Sequence, residues 1–114
     1  MKINVDLHGD IKIIKLIGDL DGTTADECRE EIMNHVESKT KLIFDMQECQ
    51  YISSAGLRVL MIVAKRLKLE EAQGILANMQ TEVQDVMEMT GFSHMLQSFD
   101  TLDMAIDFYT GESN

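Results

Sequence analysis

The chain has no tryptophan, no proline and only two Tyr and four Phe, so an aromatic core is excluded and the interior must rest on Leu, Ile, Val and nine Met. Basic residues are also scarce. Ten Lys and Arg against twenty Asp and Glu leave a net charge of −10 at pH 7. Nucleic acid is excluded as a general partner, because phosphate backbones are held by Lys and Arg. Anionic membrane surfaces fall on the same ground. The acid surplus suits solubility, or a partner with a basic face. Cys28 and Cys49 form no CxxC pair. In a chain of this size they read as reduced, buried thiols of a cytosolic compartment, with no disulfide. The first residues, MKINVDLHGDIKII, alternate and carry charge. They lack the apolar run of a signal peptide, and no stretch is long enough to span a bilayer. A cytoplasmic protein without a membrane partner is expected.

Catalytic signatures are missing too. A nucleophile elbow, G-x-S-x-G, would need glycine where Ile52 precedes Ser54 by two. A serine nucleophile also needs a placed base. His8 reads as turn chemistry, His35 sits late in a predicted helix where a cation suits the dipole, and His94 lies in a loop. There is no HxxxH, no HExxH and no paired CxxC, which argues against a metal site. No glycine-rich phosphate loop appears, which argues against ATP use. The expectation is a non-enzyme without a cofactor.

What is present is a patterned α/β chain. Its 114 residues suit one domain with a single core, and 45% apolar content excludes disorder. Ile3, Val5 and Leu7 alternate as in a half-buried strand, HGD makes a turn, and Ile11 to Ile17 reads as the second arm of a hairpin. Thr24 and Glu27 have capping-box spacing ahead of Ala25, Cys28, Ile32 and Val36, which predict a helix of about four turns. KLIF before Asp45 fits a strand covered on both faces. A long helix follows to about Leu69, then GILAN as another buried strand. Thr81 and Gln84 offer a second capping box before a stripe of Val83, Val86, Met87 and Thr90 that ends at Gly91. MLQSF suits a short last strand. Asp100 or Thr101 caps a final helix with Leu102, Ala105, Ile106 and Tyr109 inward, ended by Gly111. Strands alternating with helices favour parallel pairing and right-handed crossovers. The predicted fold is a single α/β domain over 1–111: a mixed, mostly parallel sheet opened by a β-hairpin, with about four packed helices and a frayed end at 112–114.

The joint CQYISSAGLRVL places Ser53 and Ser54 at the start of the long helix. Helix N-termini carry unpaired N–H groups and a positive dipole end, so a serine cap is natural there. Capping needs one hydroxyl, and two are present. Ala55 and Gly56 keep the first turn bare, so a large group could approach the backbone, and a phosphate would be tolerated. On a helical wheel Val59, Leu60, Val63 and Leu67 share the core side with Gly56 and Ala64. The opposite side carries Arg58, Met61, Ile62, Lys65 and Leu69, with Lys68 beside it. Arg58, Lys65, Arg66 and Lys68 concentrate basic charge on this one helix. Apolar anchors rimmed by positive charge suit a partner surface, whereas a covering loop or neighbouring helix would make the patch structural.

The stretch DMQECQYISSAGLRVLM resembles the signature of STAS domains, specifically the bacterial anti-sigma factor antagonists. GDLDGTTADECRE is similar to that family's other marker, an acidic turn before a Thr-Ala helix. The resemblance covers nearly the whole chain. It implies a phosphorylation-controlled switch in transcription regulation. The unphosphorylated domain would sequester an anti-sigma factor that is also a serine kinase; phosphorylation would release it, and a metal-dependent serine phosphatase would restore binding. The family's acceptor matches Ser54, with Ser53 as the alternative hydroxyl. By the same resemblance Asp21, Thr23 and Thr24 would fall in a loop beside the serine turn, and with Ser53, Gly56, Leu57, Arg58, Met61, Ile62 and Lys65 they form the candidate partner-binding set. The resemblance leaves room for a STAS scaffold or signalling antagonist with another output, such as secretion, motility or biofilm state, or for a ligand-sensing module.

Overall fold

A computed structural model of the chain describes residues 1–111; the expected frayed end at 112–114 lies outside the described residues. Strand β1 (Lys2–His8) pairs antiparallel with β2 (Ile11–Ile17), His8 facing Ile11. Between them Gly9 takes a φ of 64°, which a two-residue hairpin demands of its first loop position when that residue is glycine. There follow α1 (Ala25–Met33), β3 (Lys41–Asp45), α2 (Ser54–Leu69), β4 (Gln73–Ala77) and α3 (Thr81–Met89). A short 3-10 turn (Phe92–His94), β5 (Ser98–Phe99) and α4 (Leu102–Thr110) complete the described chain. Strand order in the sheet is β1-β2-β3-β4-β5, with β2 to β5 parallel. The mixed sheet opened by a hairpin and the four helices match the alternation of the sequence.

Side-chain parity divides the core. Ile14, Leu16, Leu42, Phe44 and Leu76 point to one face, where α1, α2 and α3 bury them. Ile11, Ile13, Ile43, Ile75 and Ala77 point to the other, where α4 covers them with Leu102, Ala105, Ile106 and Tyr109. The Tyr109 hydroxyl donates to the Leu42 carbonyl at 2.8 Å, tying α4 across the sheet; burial pushes the phenol well above its ordinary pKa. β3 is the central strand, and Leu42, Ile43 and Phe44 are wholly buried, as KLIF implies. The Cα radius of gyration, 12.9 Å, compares with about 13 Å for a compact chain of this length.

Local expectations fail where a loop offers a better partner. Neither capping box forms. Thr24 already has helical dihedrals, and its hydroxyl donates to the Asp19 carbonyl (2.9 Å) while accepting from Asp21 N (3.0 Å). A capping residue needs extended backbone to aim its oxygen at the first turn. At α3 the cap position is Gln80, and Thr81 is already inside the helix. α1 is nine residues long, about two and a half turns rather than four. His35 and the buried Val36 lie past its end, because the chain must turn, with Lys39 at φ 63°, to enter β3 parallel to β2. The half-buried alternation of β1 holds only at Ile3; Leu7 is 72% exposed, since β1 is the outer strand. Of the two candidates for α4, Thr101 is the cap, accepting from Met104 N at 3.1 Å.

Candidate functional site

Two loops leave the C-terminal ends of β2 and β3 and are stitched together by backbone bonds. Gly18 N donates to Glu48 O (2.9 Å), Leu20 N to Tyr51 O (3.0 Å) and Ser53 N to Leu20 O (2.9 Å). Leu20 and Ile52 thereby form an isolated parallel bridge, a continuation of the sheet beyond its named strands. Lys15 adds an ion pair to Glu48 at 2.8 Å, and that contact raises the pKa of its ammonium. Asp45, 6% exposed, closes the base of the site: its Oδ1 accepts from Gln47 N and from Asn78 Nδ2, both at 3.2 Å. Asn78, at φ 59°, turns the chain out of β4. Neither Leu20 nor Asn78 was singled out in the sequence. Leu20 acts through its backbone, which no side-chain motif reports; an Asn at the end of GILAN was the available hint of a left-handed turn.

The serine turn follows from this clamp. Ser53 is extended (φ −92°, ψ 176°); its Oγ accepts from Gly56 N at 3.2 Å and its carbonyl from Leu57 N at 2.8 Å. Ser53 is therefore the cap of α2. Ser54 is the first helical residue, is exposed, and its hydroxyl has no hydrogen-bond partner among the described residues. The two hydroxyls thus have different occupations.

Gly56 departs from expectation. The group that approaches its bare Cα is not an external ligand but the Leu20 clamp: a Cβ at Gly56 would stand 2.4 Å from Leu20 O and 2.7 Å from Leu20 Cγ. Gly56 is buried, and Leu57, 9% exposed, sits in the main core. Both belong to the seating of α2 rather than to its outer surface. The outward residues are Ser54, Arg58, Met61 (37% exposed) and Lys65, with Ile62 half-buried among them. Arg66 pairs with Glu70 at 3.3 Å, whereas Arg58, Lys65 and Lys68 have no ion pair among the described residues.

Beside the turn, Asp21 Oδ1 accepts from Thr23 Oγ1 (2.7 Å) and Thr23 N (2.9 Å). The Thr23 hydroxyl first, then its amide, hold the Asp21 carboxyl below the usual aspartate value. No hydrogen bond joins Asp21 to either serine among the described residues; it is linked to them through Leu20, its chain neighbour. Thr24, turned into the same loop, braces it from within. Burial pushes the Cys28 thiol up to about 12 and raises that of Cys49, so both are poor nucleophiles near neutral pH; neither is in a disulfide. No histidine side chain bonds to a serine, and no group of three metal-ligating side chains assembles among the described residues. No described helix is long and apolar enough to cross a membrane.

The model of one family, the STAS domain, matches residues 2–105. The chain belongs to the STAS domain family. BtrV of Bordetella bronchiseptica, named as an anti-sigma factor antagonist, is 31% identical to this STAS chain over 93 residues, 81% of this chain and 80% of that relative. A Thermotoga maritima structure described as an anti-sigma factor antagonist superposes with a TM-score of 0.83 at 15% identity over 92% of each chain. The antagonist SpoIIAA in its unphosphorylated form gives 0.78 at 19% identity, over 99% of this chain and 100% of SpoIIAA. The phosphorylated form of SpoIIAA, from Bacillus, gives 0.69 at 18% identity, over 95% and 99%. At such identities the solved structures speak for the STAS fold alone.

Proposed function

We propose that this STAS domain is an anti-sigma factor antagonist whose docking is switched by phosphorylation of Ser54. In the unphosphorylated state it binds an anti-sigma factor that is also a serine kinase. The kinase esterifies Ser54, the complex dissociates, and a metal-dependent serine phosphatase resets the domain. The observation that carries this reading is the division between the serines. Ser53 Oγ is engaged at the cap, while Ser54 presents an exposed, unengaged hydroxyl on the first turn of α2. The Bordetella relative's name supports the class.

Arg58, Met61, Ile62 and Lys65 continue from Ser54 along the outward side of α2 and supply the docking surface. Asp21 and Thr23 flank it from the adjoining loop. A phosphate on Ser54 adds nearly two negative charges at that rim. Desolvating them against a partner at a cost of about 3 kcal/mol weakens binding about 150-fold. Within the free domain the same phosphate lies at a helix N-terminus, where the dipole and amides favour it, so the fold need not change.

The test is phosphotransfer from the cognate kinase with ATP, followed by site mapping with mass spectrometry. Ser54→Ala abolishes incorporation, and Ser53→Ala retains it. Ser54→Asp weakens kinase binding by at least about tenfold, the equivalent of ~1.4 kcal/mol. Incorporation at Ser53 alone, or unchanged binding by Ser54→Asp, would overturn the assignment.

A further inference from the structure

A concave site lies on the same helix, away from the serine turn. Between the C-terminal half of α2, the start of β4 and the outer side of α4 runs a groove of about 610 Å³. That volume is in the range of small-molecule sites. With a rise of ~1.5 Å per residue, Lys65 stands ~16 Å along the helix from Ser54, and Lys68 farther still. The groove is thus spatially separate from the proposed phosphorylation site.

Its charge is opposite in sign to that of the molecule as a whole. The chain carries twenty acids. None lines the groove, while Lys65, Lys68 and His94 do. Neither lysine has an ion pair among the described residues. The wall is apolar, with Leu67 and Leu96 buried, and with Met95 and Phe108 left 40% and 48% exposed. Large apolar side chains open to solvent, bounded by unpaired cations, are the complement of a molecule with an apolar body and an anionic head.

The sheet adds a polar floor. Gln73 N donates to Thr40 O on the β3 side, and Leu76 N to Gln97 O on the β5 side. Strand alternation therefore turns the Gly74 amide and carbonyl toward the β5 side. There β5 begins only at Ser98, opposite Leu76, so no strand faces Gly74. Gly74 itself lines the groove; a Cβ there would stand 2.5 Å from Leu67 Cδ1, so a larger residue would require the Leu67 side chain to shift.

We propose that this groove binds a small amphipathic anion, its apolar body lying on Met95, Leu96 and Phe108 and its carboxylate or phosphate head between Lys65 and Lys68. A protein segment is the less favoured occupant. The uncovered part of β4 is too short for strand addition, and the volume fits a compact ligand.

The probes are decanoate, decyl phosphate and 1-decanol at monomeric concentrations, titrated into the full chain and followed by amide NMR. Either anion should shift Leu67, Gly74 and Leu96 while leaving Ser54 and Arg58 unmoved; the tighter of the two identifies the head group. Decanol should bind at least about tenfold more weakly, and Lys65→Gln/Lys68→Gln should lose about tenfold for the anions while keeping its native spectrum and its decanol affinity. The proposal is overturned by no shift with either anion at millimolar concentration, by equal affinity for decanol, or by shifts that map elsewhere. An acidic apolar peptide that binds in preference to both anions would give the groove to a protein partner and overturn it as well.

Discussion

At the scale of single residues, Gly56 shows how one missing carbon organises the site. In most helices Gly→Ala stabilises by about 1 kcal/mol through propensity. Here the added methyl would overlap the Leu20 carbonyl at 2.4 Å, and that carbonyl also accepts from Ser53 N. Relief requires α2 to shift from the clamp, so the sign reverses. Gly56→Ala should destabilise by about 1–3 kcal/mol, the usual cost of overpacking a closed site, read as a lower urea midpoint. The serine motif could be recognised from residue types alone. Which serine caps and which stays free could not, because both hydroxyls have the same local chemistry. The choice depends on Leu20, 33 positions earlier, holding Ser53 in extended backbone. Thr24 teaches the same point in reverse: its spacing to Glu27 is that of a capping box, yet the Asp19 carbonyl and the Asp21 amide claim its hydroxyl first.

At the scale of elements, both proposals rest on α2, with Ser54 and Arg58 toward its start, Lys68 toward its end, and Lys65 shared between the proposed docking surface and the groove. Its inward residues Val59, Leu60, Val63, Ala64 and Leu67 are buried, as the wheel predicts. Its outward Arg58 and Met61 are exposed, Met61 at 37%, so their replacement should be felt by a partner more than by the fold. Arg58→Ala and Met61→Ala should each weaken kinase binding by at least about tenfold, while the thermal midpoint stays within about 4 °C, the shift of roughly 1 kcal/mol for a domain of this size. Calorimetric titration and a thermal melt check the two halves separately. The existence of the strands and α-helices was legible, because periods of two and 3.6 are written into the apolar positions, whereas the 3-10 turn at Phe92–His94 was not. Element ends were less so. α1 stops at Met33 although the apolar spacing continues to Val36, since parallel entry into β3 dictates where the chain must turn.

At the scale of the whole molecule, the switch is expected to act without remodelling. α2 is seated on the central sheet by a continuous buried stripe, and its first turn is clamped to the β2 loop by Leu20. A phosphate on Ser54 gains from the helix dipole no more than about 1 kcal/mol at an exposed site, too little to unseat that packing. The phosphorylated chain should therefore keep its circular dichroism spectrum, with amide shifts confined to the serine turn and the adjoining loop at 19–24; shifts spread through β3 and β4 would show that the core rearranges. The sequence by itself determined the fold class, the order of the strands and α-helices, the inward side of α2 and the serine-bearing joint, because these depend on local periodicity and on motifs contiguous in the chain. Only the tertiary structure decided that Gly56 makes room for Leu20, that Ser53 and Ser54 divide their labour, and that a cationic apolar groove opens between α2, β4 and α4. Each of those depends on atoms far apart in the chain being packed within a few ångströms, and no one-dimensional pattern records that distance.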